Sequence, residues 1–135
     1  MSYNQYVDKK FRAEDSAFEM GKGDYEMVEL LKRLDISRPV ALTLACLSKG
    51  EEFSSQHIEM VSGLRQPEVS IAMRHLRENN WVEIREEKKT QGKGRPIKLY
   101  RLVVPMETII NGIEKKVLAE SRVIFQNLEH LKDLS

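Results

Sequence analysis

The stretch Ser54-Ser-Gln-His-Ile-Glu-Met-Val-Ser-Gly-Leu-Arg-Gln-Pro-Glu-Val-Ser-Ile-Ala-Met-Arg-His-Leu-Arg-Glu-Asn-Asn-Trp-Val82 decides how this chain is read. Ser54 suits a helix N-cap, because its hydroxyl can accept from a first-turn amide that has no intrahelical partner. Ile58 and Val61 mark the apolar side of a short helix. Gly63 then breaks it, since glycine takes the left-handed conformation without steric cost. Leu64 anchors the turn, and Gln66-Pro67 open a second helix at positions where proline is tolerated. Val69, Ala72, Met73 and Leu76 form the apolar stripe of that helix, which ends at Asn79-Asn80.

Downstream the period changes from helical to two. Val82 and Ile84 alternate on one face of a short strand, and Tyr100 and Leu102 do so on another. The segment between them, Lys88-Lys-Thr-Gln-Gly-Lys-Gly-Arg-Pro96, has the composition of a hairpin loop. After Pro105 a helical period runs toward Leu134, with Ile110, Val117, Ile124 and Leu131 at every seventh position. Upstream, a helix is expected from Asp24 as N-cap, with Met27, Leu30, Leu31 and Leu34 at three- and four-residue spacing. A second follows Ser37 and is apolar nearly all round from Val40 to Leu47, which suits the middle of a core. The first twenty-three residues are polar and read as an arm, with a short helix near residues 11 to 20.

The order helix, helix, short helix, glycine turn, helix, hairpin is that of a winged helix-turn-helix. Residues 54 to 82 resemble the helix-turn-helix of prokaryotic winged-helix regulators of the MarR, ArsR and TrmB-like groups. Gly92-Lys-Gly-Arg-Pro-Ile-Lys-Leu-Tyr-Arg-Leu102 looks like the wing and third strand of archaeal-type members. The resemblance spans about residues 37 to 104 and is nearest to small TrmB-like regulators. Two positions depart from the pattern: Arg65 stands where a Ser or Thr commonly caps the recognition helix, and Asn80 replaces a glycine at its exit. No sensor domain is expected after the last helix, and no effector is assigned. The expected fold is mainly α with a β-hairpin wing. Its parts are an arm (1–23), a winged helix-turn-helix DNA-binding domain (24–104) and a long C-terminal dimerisation helix (105–135).

Such a fold presents the polar face of its recognition helix to the major groove, which is wide enough to admit a helix. Gln66 can pair bidentately with adenine and Arg74 with guanine or a phosphate. Ile71 suits a thymine methyl, and Arg65, Ser70 and Arg77 complete the face. Glu68 is out of place beside phosphates; it either stabilises the helix N-terminus through the dipole or accepts from a cytosine amino group. In the wing, Arg95 suits the enhanced negative potential of a narrow minor groove. Lys88, Lys89, Lys93 and Lys98 meet phosphates, which fix position without reading sequence.

Charge is distributed in a way that agrees with this. Residues 1–53 carry eight Lys/Arg and ten Asp/Glu, residues 54–103 ten and six, and residues 104–135 four and five, giving −2, +4 and −1 within a net +1. From Lys88 to Arg101 six cations occur with no acid among them. A near-neutral chain with one basic segment suits either a local polyanion contact or, on charge alone, a solvated loop.

Other classes fit less well. There is no P-loop, no G-x-S-x-G, no H-E-x-x-H and no C-x-x-C, so no enzyme and no cofactor are expected. The lone Cys46 and the histidines His57, His75 and His130 lack metal-ligand spacing, so no metal is expected. Cys46 reads as a small core residue, and Met60, Met73 and Met106 as core gap fillers. No run reaches the ~18 apolar residues of a membrane span, and the N-terminus lacks a secretory apolar core, which suits a cytoplasmic protein. The competing reading is a winged-helix protein-interaction module that never touches DNA.

The last expectation is a homodimer on double-stranded DNA. A C-terminal helix of about 43 Å, at 1.5 Å per residue, exceeds what a small domain needs for packing. Its stripe Ile110, Ile113, Val117, Ile124, Leu128 and Leu131 would be exposed in a monomer. Glu120 and Asn127 interrupt the heptad, so intersubunit helix packing is expected in place of a strict zipper.

Overall fold

The computed structural model describes residues 19–88 and 96–135. The chain divides into two units, one closing at Val104 and the other opening at Pro105. Among the described residues there are five helices and a three-stranded antiparallel sheet.

In the first unit, α1 spans Lys22–Arg33. Its N-cap is Gly21, three residues before the Asp24 expected from sequence. The Asp24 carboxylate reaches back to accept the Gly21 N–H at 2.8 Å, which extends the helix by a turn. The same carboxylate lies 3.4 Å from Lys49 Nζ. The buried side of α1 is Asp24, Val28 and Leu31, so Leu30 and Leu34 face solvent, against the expected stripe.

Helix α2, Arg38–Leu47, starts after Ser37 with a proline in its first turn, and every residue from Val40 to Leu47 is buried. It packs against α1 and the two helices that follow, as an all-round apolar helix must. Cys46 is fully buried there. Burial first, and the Asp24 carboxylate second, push its thiol pKa up to about 12.

Strand β1, Phe53–Ser54, leads directly into α3, Ser55–Ser62, whose His57 N–H donates to Ser54 Oγ at 3.1 Å. Gly63 closes α3 at φ +78°, as the sequence requires. Helix α4, Gln66–Glu78, follows after two residues and buries Val69, Ala72, Met73 and Leu76. Asn80, at φ +60°, turns the chain out of it, and Trp81 N–H donates back to the Leu76 carbonyl at 3.0 Å.

Strands β2, Val82–Glu87, and β3, Ile97–Leu102, pair antiparallel from Val82 opposite Leu102 to Glu87 opposite Ile97. The sheet order is β1-β3-β2, with Phe53 opposite Tyr100 and Ser54 opposite Leu99. The third strand was not expected from the sequence. It pairs along the edge of β3 away from β2; Leu99, on the face of β3 opposite Tyr100 and Leu102, is fully buried.

The second unit is α5, Met106–Leu134, a single helix of 29 residues. No helix among the described residues is long and apolar enough to cross a membrane. The short helix expected near 11 to 20 falls almost wholly outside the described residues.

Candidate nucleic-acid interface

Helix α4 is divided lengthwise by its own sequence. Val69, Ala72, Met73 and Leu76 recur at the helical period and are buried, so the opposite residues are left open to solvent. On that open side stand Gln66, Ser70, Ile71, Arg74 and Arg77, all exposed, with Ile71 at 58 %. The face expected from the sequence is therefore brought together on one element. Arg65 is exposed at the N-cap in extended conformation.

The first turn of α4 lacks a side-chain acceptor at its N-cap, the expected consequence of an arginine there. Glu68 supplies the compensating contact: its Oε1 accepts the Arg65 backbone N–H at 2.9 Å. Its Oε2 lies 4.0 Å from the Arg38 guanidinium at the start of α2. Glu68 is thus a scaffold of the helix terminus, as its position in the first turn suggests. Arg38, more than half exposed, was not singled out from sequence. Its one signal was its place in the first turn after Ser37.

Gln66 Nε2 donates to Ser70 Oγ at 2.9 Å, so the two polar residues expected to meet bases are bonded to each other. His75, exposed, meets Trp81 edge-on with ring centroids 6.3 Å apart, which steadies the exit from α4. His57 is buried and stacks on Phe53 at 4.9 Å. Met60, expected in the core, is 78 % exposed on α3, because that short helix buries only His57 and Ile58.

In the sheet, charged side chains separate into bonded and open ones. Arg101 donates to Glu83 across the β2–β3 pair. Arg85 donates from Nε and Nη2 to the two oxygens of Glu52, at 3.0 and 2.8 Å. That hydrogen bonding holds the Arg85 pKa above its ordinary value. Lys88 and Lys98 are exposed at the hairpin ends of their strands. Lys89, Lys93 and Arg95 lie outside the described residues.

Helix α5 distributes its apolar side chains differently from the expected stripe. Ile110, Ile124, Leu128 and Leu131 are exposed as expected, whereas Ile113 is buried and Val117 half-buried. Leu118 and Phe125, outside that stripe, are exposed at 57 % and 66 %. The heptad count beginning at Ile110 concealed them because it placed both beside the seam.

No known protein-family model and no curated protein matches this chain by sequence. Among the described residues no group of three His, Cys, Asp or Glu side chains could hold a metal ion. The open side of α4 offers an amide, a hydroxyl, an exposed aliphatic side chain and two guanidinium groups along one helix. That is a set of donors, acceptors and apolar surface for recognition by contact.

Proposed function

We propose that the chain is a winged helix-turn-helix protein that binds double-stranded DNA sequence-specifically as a homodimer and regulates transcription in the cytoplasm of a prokaryote. The single observation that carries the reading is the open face of α4, where Gln66, Ser70, Ile71, Arg74 and Arg77 stand together opposite a buried stripe. In this reading α4 enters the major groove, with Arg74 and Gln66 on base edges and Ile71 against a thymine methyl. The β2–β3 hairpin is the wing. Its Arg95 lies in the minor groove, and Lys88, Lys89, Lys93 and Lys98 lie along phosphates. The resemblance to small TrmB-like, MarR and ArsR regulators supports the same assignment.

Two recognition helices in a two-fold dimer call for half-sites about one DNA turn apart on a pseudo-palindrome. The test is selection from random duplex DNA followed by mobility-shift titration at low salt. A selected motif with two-fold symmetry, and affinity falling steeply with salt as counterions are released, supports the reading. No duplex binding at micromolar protein transfers the fold to its rival role as a protein-interaction module.

A further inference from the structure

On α5, residues 114, 118, 121, 125, 128 and 132 follow one another at alternating spacings of four and three, which is the heptad seam. They are Glu114, Leu118, Ser121, Phe125, Leu128 and Lys132. Glu114 and Lys132 are exposed, Ser121 is half-buried, and Leu118, Phe125 and Leu128 are 57 %, 66 % and 45 % exposed. Ile124 and Leu131, at 57 % and 64 %, extend the apolar surface along one side. So much aliphatic and aromatic surface on a single helix is costly to leave in water.

The order of residues says what covers it. Read from its other end, the seam is Lys, Leu, Phe, Ser, Leu, Glu. Laid antiparallel on a second copy about the level of residue 123, each position meets its complement. Glu114 meets Lys132, Leu118 meets Leu128, and Ser121 meets Phe125, each pair occurring twice. Charge lies opposite charge, and the large ring lies opposite the small hydroxyl side chain. A parallel in-register pair instead places Glu114 on Glu114, Lys132 on Lys132 and the two Phe125 rings together. Like charges at such positions repel.

We infer that α5 pairs antiparallel with α5 of a second copy of this chain, through the seam Glu114, Leu118, Ser121, Phe125, Leu128 and Lys132. The inference deepens the dimeric part of the proposed function by fixing orientation and register, and it is independent of any contact with DNA. Within one chain Glu114 and Lys132 are 18 residues apart, about 27 Å along the helix. Any coupling between them in self-association therefore passes through the partner copy.

The experiment uses the full chain. Sedimentation equilibrium should show a dimer at micromolar concentration. Glu114→Lys and Lys132→Glu should each weaken it about tenfold, since each sets two like-charge pairs face to face. The double variant should return to within about twofold of the original. Spin labels on a Ser135→Cys chain give the orientation separately; Cys46 is fully buried, so the introduced thiol is the accessible one. Antiparallel pairing about residue 123 separates the two labels by about 36 Å, whereas parallel pairing brings them within about 15 Å. A monomer overturns both this inference and the dimeric reading. A dimer with the short label distance, or a double variant no better than the single ones, overturns the orientation and register alone.

Discussion

Arg85 on β2 grips Glu52, thirty-three residues earlier in the chain, through two hydrogen bonds of 3.0 and 2.8 Å to separate carboxylate oxygens. Glu52 is only 2 % exposed. The pair ties the segment entering β1 to the far strand of a sheet whose middle strand is β3. Removing the guanidinium deprives a buried carboxylate of its bidentate partner. Arg85→Ala should therefore lower unfolding free energy by about 2 to 4 kcal/mol. The low end of the range for broken buried pairs applies because the Arg85 side chain is itself 34 % exposed and screened. Urea unfolding measures it, and a loss below about 0.5 kcal/mol would place the pair among ordinary surface contacts.

Gly63 should resist substitution for reasons of backbone alone. Its φ is +78°, and a Cβ built there meets nothing within 4 Å, so no clash adds to the conformational strain. Gly63→Ala should cost about 1 to 2 kcal/mol. Thermal unfolding reads the change. An unaltered midpoint would mean that the turn between α3 and α4 relaxes freely.

Cys46 predicts a dependence on alkaline pH. Burial, then Asp24, raises its thiol from 9.0 to about 12, so the folded chain holds the proton more tightly than the unfolded one. The resulting stabilisation is complete below about pH 9 and declines as pH rises toward 12, by up to about 1.4 kcal/mol per pH unit. Other groups titrate in the same range, so the measurement is a difference. Unfolding free energies of the original chain should fall more steeply between about pH 9 and 11 than those of Cys46→Ala. Parallel curves would remove the thiol from the account.

In the proposed complex, two groups of residues should separate by phenotype. Arg74→Ala or Gln66→Ala should lose about 1 to 3 kcal/mol of discrimination between the best site and a single-base variant. Neutralising Lys88 and Lys89, or Arg95→Ala, should weaken binding to every sequence and flatten the salt slope. Titrations on matched and mismatched duplexes at several salt concentrations give both quantities. Equal loss of specificity from the two groups would end the division into readout and positioning.

Much of the helical part of this fold is legible in the sequence because helices carry a period. The stripe Val69, Ala72, Met73 and Leu76, the break at Gly63 and the left-handed Asn80 each have a local cause, and the structure realises each. Strand β1 has no such signal: two residues cannot show an alternation, and Ser54 already had a role as cap. Leu99 was missed because the alternation in β3 favoured Tyr100 and Leu102, while α2 and α3, distant in the chain, pack against β3. The Arg85–Glu52 pair and the approach of Arg38 to Glu68 join distant parts of the chain, which no local pattern encodes. On α5 the helical period is realised, while Glu120 and Asn127 fall on the seam counted from Ile110 and spare the one counted from Leu118 in the proposed pairing.

The bond from Gln66 to Ser70 gives the proposed base reading a starting geometry. It engages one amide N–H and leaves the second N–H and the carbonyl oxygen for other partners. In the proposed complex those two groups make the bidentate contact with adenine while Ser70 still holds the side chain. A glutamine already held on its own helix has less freedom to lose when it meets a base, so the Ser70 hydroxyl lowers the ordering cost of recognition without touching DNA itself.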